Sequence, residues 1–144
     1  MEDISESPPP IPNNWKWDAT NHRVGPFRLR GSIEEVAHLV EKLERYPDEK
    51  YDTYLIQGTR GCKLFVKANG ISSIQCGERF IVNGTDIMGL GANALACYFD
   101  SPFFISQQSQ EYTDYMNKAR TFKIIVDNAQ EAIIWIIYAD PTQW

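Results

Sequence analysis

Several kinds of chemistry lack their residues in this sequence. Histidine is scarce: His22 and His38 are the only two, sixteen residues apart. The three cysteines, Cys62, Cys76 and Cys97, are separated by fourteen and twenty-one residues. No Cys-x-x-Cys pair, no His-x-x-x-His pair and no acidic calcium loop occurs, so the recognised ligand spacings are missing and no metal or cofactor is expected. An odd number of dispersed cysteines reads as free thiols in a reducing cytoplasm, not as a disulfide framework. Gly89-x-Gly91 has no third glycine at dinucleotide spacing, and there is no phosphate-binding loop. No apolar run approaches the ~20 residues needed to span a bilayer. The N-terminus is acidic and proline-rich, whereas a signal peptide begins basic and then apolar. Positive charge is not in surplus either. Fourteen lysines and arginines face nineteen acids, for a net −5, which is not the footprint of a phosphate-backbone binder.

What is present is an ordinary globular composition, 43% apolar and 23% charged, over 144 residues. That length predicts one domain with a real core. We place a disordered acidic, proline-rich tail at 1–12 and a single α+β domain at 13–144. Pro8-Pro9-Pro10 also fits a polyproline II ligand. The charge is unevenly spread. Residues 13–30 carry +3, 31–52 carry −4, 53–99 carry +2 and 100–144 carry −3. An acidic chain suits a cationic partner, because opposite fields steer encounter, or simply keeps a protein soluble.

Tyr51 to Cys76 organises the prediction. Tyr51–Gln57 mixes aromatic, β-branched and apolar residues, as a half-buried strand does. Gly58-Thr59-Arg60-Gly61 supplies the positive φ of a hairpin connection. Cys62–Ala68 is the second strand, and Asn69-Gly70 is predicted as the centre of a tight turn into the third. That turn would pair Ala68 with Ile71, Phe65 with Ile74, Val66 with Ser73 and Leu64 with Gln75.

Around this meander, Ser32 and Glu35 form a capping-box pattern. Ile33, Val36, Ala37 and Val40 follow at helical spacing, which predicts one long helix ending near Arg45-Tyr46, before Pro47. Phe80-Ile81-Val82 reads as a short strand, Asn83-Gly84 as a second turn, and 92–99 as a short helix. Phe103-Phe104-Ile105 is a candidate strand, and Gln107–Lys118 reads as a polar loop. A C-terminal hairpin joins 121–126 to 132–138. The run AIIWIIYA in its second arm predicts a central strand buried on both faces. The fold class is therefore α+β: a mainly antiparallel sheet, made of a meander plus a C-terminal hairpin, with one long and one short α-helix.

Candidate chemistry is thin. Cys76 or Cys97 with His38 is the available nucleophilic pair, but strand and helix cysteines are ordinarily small buried hydrophobes. No pair of carboxylates is singled out for hydrolysis. Trp15 and Trp17 share a strand face, either as a stacking platform or as plugs of the core. Phe65 between Lys63 and Lys67 has the local look of a stacking surface for a base or sugar. A small ligand- or nucleic-acid-binding domain using these aromatics is the alternative function.

One pattern is familiar. Gly70-x-x-x-Ile74-x-Cys76, then Phe80, then Asn83-Gly84-x-x-Ile87-x-Gly89 and a short helix resembles small cytosolic immunity proteins of bacterial contact-dependent inhibition and related polymorphic-toxin systems. The resemblance covers about Tyr51 to Phe99. It implies a cytoplasmic non-enzyme that neutralises one cognate toxin, often a nuclease, by covering its active site. The expected partner is therefore a basic toxin, with neither membrane nor nucleic acid bound. Candidate contact residues are the acids Glu41, Glu44, Asp48, Glu49, Asp52, Glu111 and Asp114, which would meet toxin cations. Tyr112 and Tyr115 would be interface anchors.

Overall fold

The computed structural model describes residues 15–44 and 50–141. The expected tail, Asp48 and Glu49 lie outside the described residues. The centre is an eight-stranded, wholly antiparallel sheet in the order β10-β11-β12-β13-β7-β6-β5-β4. It consists of two four-stranded meanders. The first comprises β4 (Val40–Lys42), β5 (Asp52–Ile56), β6 (Lys63–Lys67) and β7 (Gly70–Cys76). The second comprises β10 (Phe103–Gln108), β11 (Tyr112–Asn117), β12 (Phe122–Asp127) and β13 (Ala132–Ala139). They join through one antiparallel pair, β7 with β13, in which Cys76 faces Ile136 and Ile74 faces Tyr138.

One face of this sheet is the core. Leu64, Ile74, Cys76, Ile124, Ile133 and Ile136 on it are almost wholly buried. Period-two alternation puts these residues on a single side of their strands, with the bulge opposite Ile125/Val126 returning Ile133 to the same side as Ile136. The cover comes from two segments. A three-stranded ribbon, β1 (Trp17–Asp18), β2 (Arg23–Val24) and β3 (Phe27–Arg28), contributes Val24 and Phe27. The connection from β7 to β10 contributes Phe80, Val82 and Ile87 from around the β8 (Ile81–Val82) and β9 (Thr85–Asp86) hairpin, then Leu95 from the short helix α1 (Ala94–Tyr98). Trp15 is 6% exposed, and Trp17 packs on Phe80, Phe99, Phe122 and Tyr138 with centroids 5.1–6.3 Å apart. The two tryptophans therefore plug the core, and they form no surface platform.

The long helix is replaced by something shorter. Ile33–Leu39 is 3-10 in character and kinked at Val36 (φ −123°, ψ 16°). Ser32 caps it, but its hydroxyl accepts from Glu34 N at 3.2 Å and not from Glu35. At Val40 the chain becomes extended and pairs with Ile56, so sheet hydrogen bonding takes the residues that helical periodicity had claimed. β-branched Val40 fits that pleated edge well.

Three further expectations are corrected. The turn between β6 and β7 is centred on Ala68 (φ 52°) and Asn69 (φ 66°), with Lys67 opposite Gly70. That one-residue shift, followed by a bulge, pairs Leu64 with Ile74 and Val66 with Ile71, which makes an unbroken apolar face. The polar stretch read as a loop holds strand β11, whose Thr113 and Asn117 are buried. Asn117 earns its place by hydrogen bonding: its Oδ1 accepts from Thr121 N and Phe122 N at 3.0 Å, and its Nδ2 donates to Thr121 Oγ1 at 2.8 Å. Finally, β13 is buried on one face only, since Ile134, Trp135 and Ile137 are half-buried on the other.

Candidate protein-binding face

The uncovered side of the sheet follows from the same alternation. A cross-strand row runs over all eight strands as Glu41–Leu55–Lys63–Gln75–Ile137–Lys123–Met116–Phe104. A second row sets Trp135 beside Ile125, then Asp114, then Gln107. Apolar and aromatic side chains therefore stand among charged ones on a face that no described element covers. Phe65 belongs to this face, half-buried between Lys63 and Lys67.

Trp135 is held down by two glycines. A Cβ built on Gly77 would overlap the indole, lying 2.7 Å from Cε3 and 2.8 Å from Cη2. One on Gly61 would lie 3.8 Å from Cη2. The ring thus lies flat across bare backbone beyond the ends of β6 and β7. Its other side helps wall a concavity of about 410 Å³ with Gln107, Ser109, Tyr112, Asp114, Ile125 and Ile134. Lys123 Nζ is 3.6 Å from Asp114 Oδ2, and both side chains are largely covered.

The rim of that concavity is stiffened by Asn128. Its Nδ2 donates to the carbonyls of Ser109 (3.0 Å) and Gln110 (3.2 Å), and its Oδ1 accepts from Thr113 Oγ1 at 2.7 Å. Asn128 N also donates to Glu111 O at 2.9 Å. The β10–β11 and β12–β13 hairpin tips are thereby knitted into one unit. Ser109 Oγ further accepts from the amides of Glu111 and Tyr112. This end is acidic: Glu111, Asp114, Asp127 and Glu131 stand in segments 108–115 and 124–132, which contain no lysine or arginine.

The structure divides the candidate contact residues into two groups. Tyr112, which is 43% exposed, and Asp114 come together at the concavity, and Glu111 stands beside them in the β10–β11 hairpin tip. Tyr115 points to the opposite face of β11 and packs against the core. Glu41, Glu44 and Asp52 lie at the far edge, where Lys42 Nζ is 4.0 Å from Asp52 Oδ2. Six strand steps separate β4 from β11, roughly 29 Å at about 4.8 Å each. Sequence reasoning missed Trp135, Ile125 and Gln107. The available signal was a tryptophan inside an aliphatic strand, since its large amphipathic ring favours a boundary.

No family model, no curated protein and no solved structure matches the chain.

The thiols are set by burial. Cys62 accepts from Gly77 N at 3.3 Å, and its pKa is raised by desolvation, with a smaller contribution from the charge of Glu78. Burial pushes Cys76 well up, and neighbouring Cys62 adds to it. Cys97 is exposed. Among the described residues no group of three His, Cys, Asp or Glu side chains is placed to hold a metal ion. No described helix is long and apolar enough to cross a membrane.

Proposed function

We propose that this chain is a non-enzymatic protein-binding module, and specifically a cytoplasmic immunity protein that neutralises a basic cognate toxin, such as a nuclease, by covering its active site. The observation that carries the protein-binding reading is the concavity at the acidic end of the open face. Aromatic walls from Trp135 and Tyr112, a carboxylate from Asp114 and a hairpin rim fixed by Asn128 form a preorganised, half-apolar surface. Such surfaces accept protruding side chains of a protein partner, and aromatic anchors dominate their energetics. Lys123 pairs with Asp114 at this end, and the remaining acids, Glu111, Asp127 and Glu131, favour a cationic partner. The toxin-immunity level of the proposal rests on the resemblance across Tyr51–Phe99.

The test is a pull-down from the native host with the tagged chain at low and moderate salt, followed by assay of the captured protein for toxin activity. A single basic partner, inhibited on binding, is the expected result. Tyr112→Ala should then weaken the complex by about 2 kcal/mol, or roughly thirtyfold. Glu111→Lys should slow association most at low salt. Recovery of nucleic acid, or of no partner, would sink the proposal, as would a complex indifferent to Tyr112→Ala.

A further inference from the structure

The two edges of the sheet are built differently. β4 is three residues long and exposes the charges of Glu41 and Lys42, which is how natural sheets block edge pairing. β10 is six residues long and pairs with β11 alone. Residues 101–110 form a ten-residue stretch without a charge. Phe104 is 49% exposed and Ile105 is 52% exposed, on opposite faces of the strand. Pro102 precedes the strand and a bulge follows Ile105, so the uncharged residues 103–105 between them are the part of this edge open to another strand.

We infer that β10 pairs antiparallel with β10 of a second copy of this chain, extending the sheet across a twofold axis. Three observations favour a second copy over a different protein. First, an uncharged strand meets no like charge when it faces itself, in whatever register. Second, Phe103-Phe104-Ile105 is self-complementary about Phe104. A perpendicular twofold at that residue puts Phe104 opposite its own copy and Phe103 opposite the second copy's Ile105. Residues that face each other then lie on the same side of the joined sheet, as antiparallel pairing requires. Third, the β10 bulge follows Ile105, so the three apolar residues keep regular strand geometry. A six-residue strand is about 20 Å long, and the contact is smaller than a standard interface, so the dimer dissociates in about the micromolar to sub-millimolar range. This inference does not depend on the proposed toxin partner, and it leaves the concavity beside Trp135 open.

Sedimentation velocity on the full chain between about 5 and about 500 µM tests it, a range chosen to bracket that affinity. The expected result is a mass rising from 16.5 kDa towards twice that value. Ile105→Lys should raise the dissociation constant at least about tenfold, because it sets a lysine in the pairing line. Near-UV circular dichroism should remain native, because residue 105 is largely exposed. An independent readout uses Phe104→Cys in a Cys97→Ser background. Directly opposed Cβ atoms are about 4.5–5.5 Å apart, so mild oxidation should cross-link this variant far faster than Glu41→Cys in the same background. A constant monomer mass with cross-linking no faster than the Glu41→Cys control overturns the inference. A dimer that survives Ile105→Lys also overturns it, since the contact must then lie elsewhere. So does a monomer that uses this edge only for another protein's strand.

Discussion

Gly77 should be irreplaceable for a reason that lies wholly in Trp135. Its backbone is outside the left-handed region, so alanine meets no torsional penalty there. The penalty is steric: the added methyl would overlap the indole ring, which is rigid and seated between Gly77 and Gly61. Overpacking of this kind costs about 1–3 kcal/mol, and we take about 2 for Gly77→Ala. For a domain of this size that corresponds to a fall in Tm of about 5–8 °C. The decisive measurement is a double-mutant cycle by thermal or urea unfolding. In a Trp135→Ala background, Gly77→Ala should cost less than about 0.5 kcal/mol, leaving a coupling of about 1.5 kcal/mol. Equal losses in the two backgrounds would refute the steric account, and so would a Tm change below about 1 °C in the single variant. Because the displaced ring walls the concavity, Gly77→Ala should also weaken partner binding.

Asn117→Ala removes the acceptor for two backbone amides and should cost about 2–3 kcal/mol in urea unfolding. Asn128→Ala should speed amide exchange across residues 109–113, with little effect on the core of β7, because its bonds are confined to the two hairpin tips. A thiol reagent at neutral pH should titrate Cys97 alone, with Cys62 and Cys76 reacting after denaturation. The raised pKa of the buried thiols also fixes a sign for pH. The folded state holds their protons longer than the unfolded chain. Stability is therefore full below the ordinary thiol value and falls as pH rises beyond about 9. Cys76→Ala should flatten that alkaline decline, and an unchanged slope would count against the burial argument.

Much of the sheet was readable in advance because its strands carry their own pattern. The boundaries of β5, β6, β7, β12 and β13 fall within a residue or two of the expected ones, and Asn83-Gly84 turns where glycine permits it, at φ 50° and 85°. What stayed hidden was decided across strands. β11 alternates correctly, but its inward positions are Thr113, Tyr115 and Asn117, so polarity concealed the period. The helical spacing of Ile33 to Val40 was real, yet pairing with Ile56 outweighed it. Of the residues around the concavity, Tyr112 and Asp114 lie on a stretch of chain that its acids and tyrosines had singled out. Trp135 arrives from a strand some twenty residues on, and only sheet register brings it beside them.

The single seam between the meanders shapes how the chain reaches its native state. Pairs within each meander lie close in sequence and can form on their own, in microseconds by the measure of isolated hairpins. The seam joins Cys76 to Ile136, sixty residues away, before any contact across it is gained. Closing a loop of that length costs about 3–4 kcal/mol of chain entropy. Among the strand pairings of the sheet, β7 with β13 therefore carries the largest loop-closure cost. Until that meeting, β7 and β13 are themselves bare edges, open to a neighbouring chain in addition to the uncharged edge of β10.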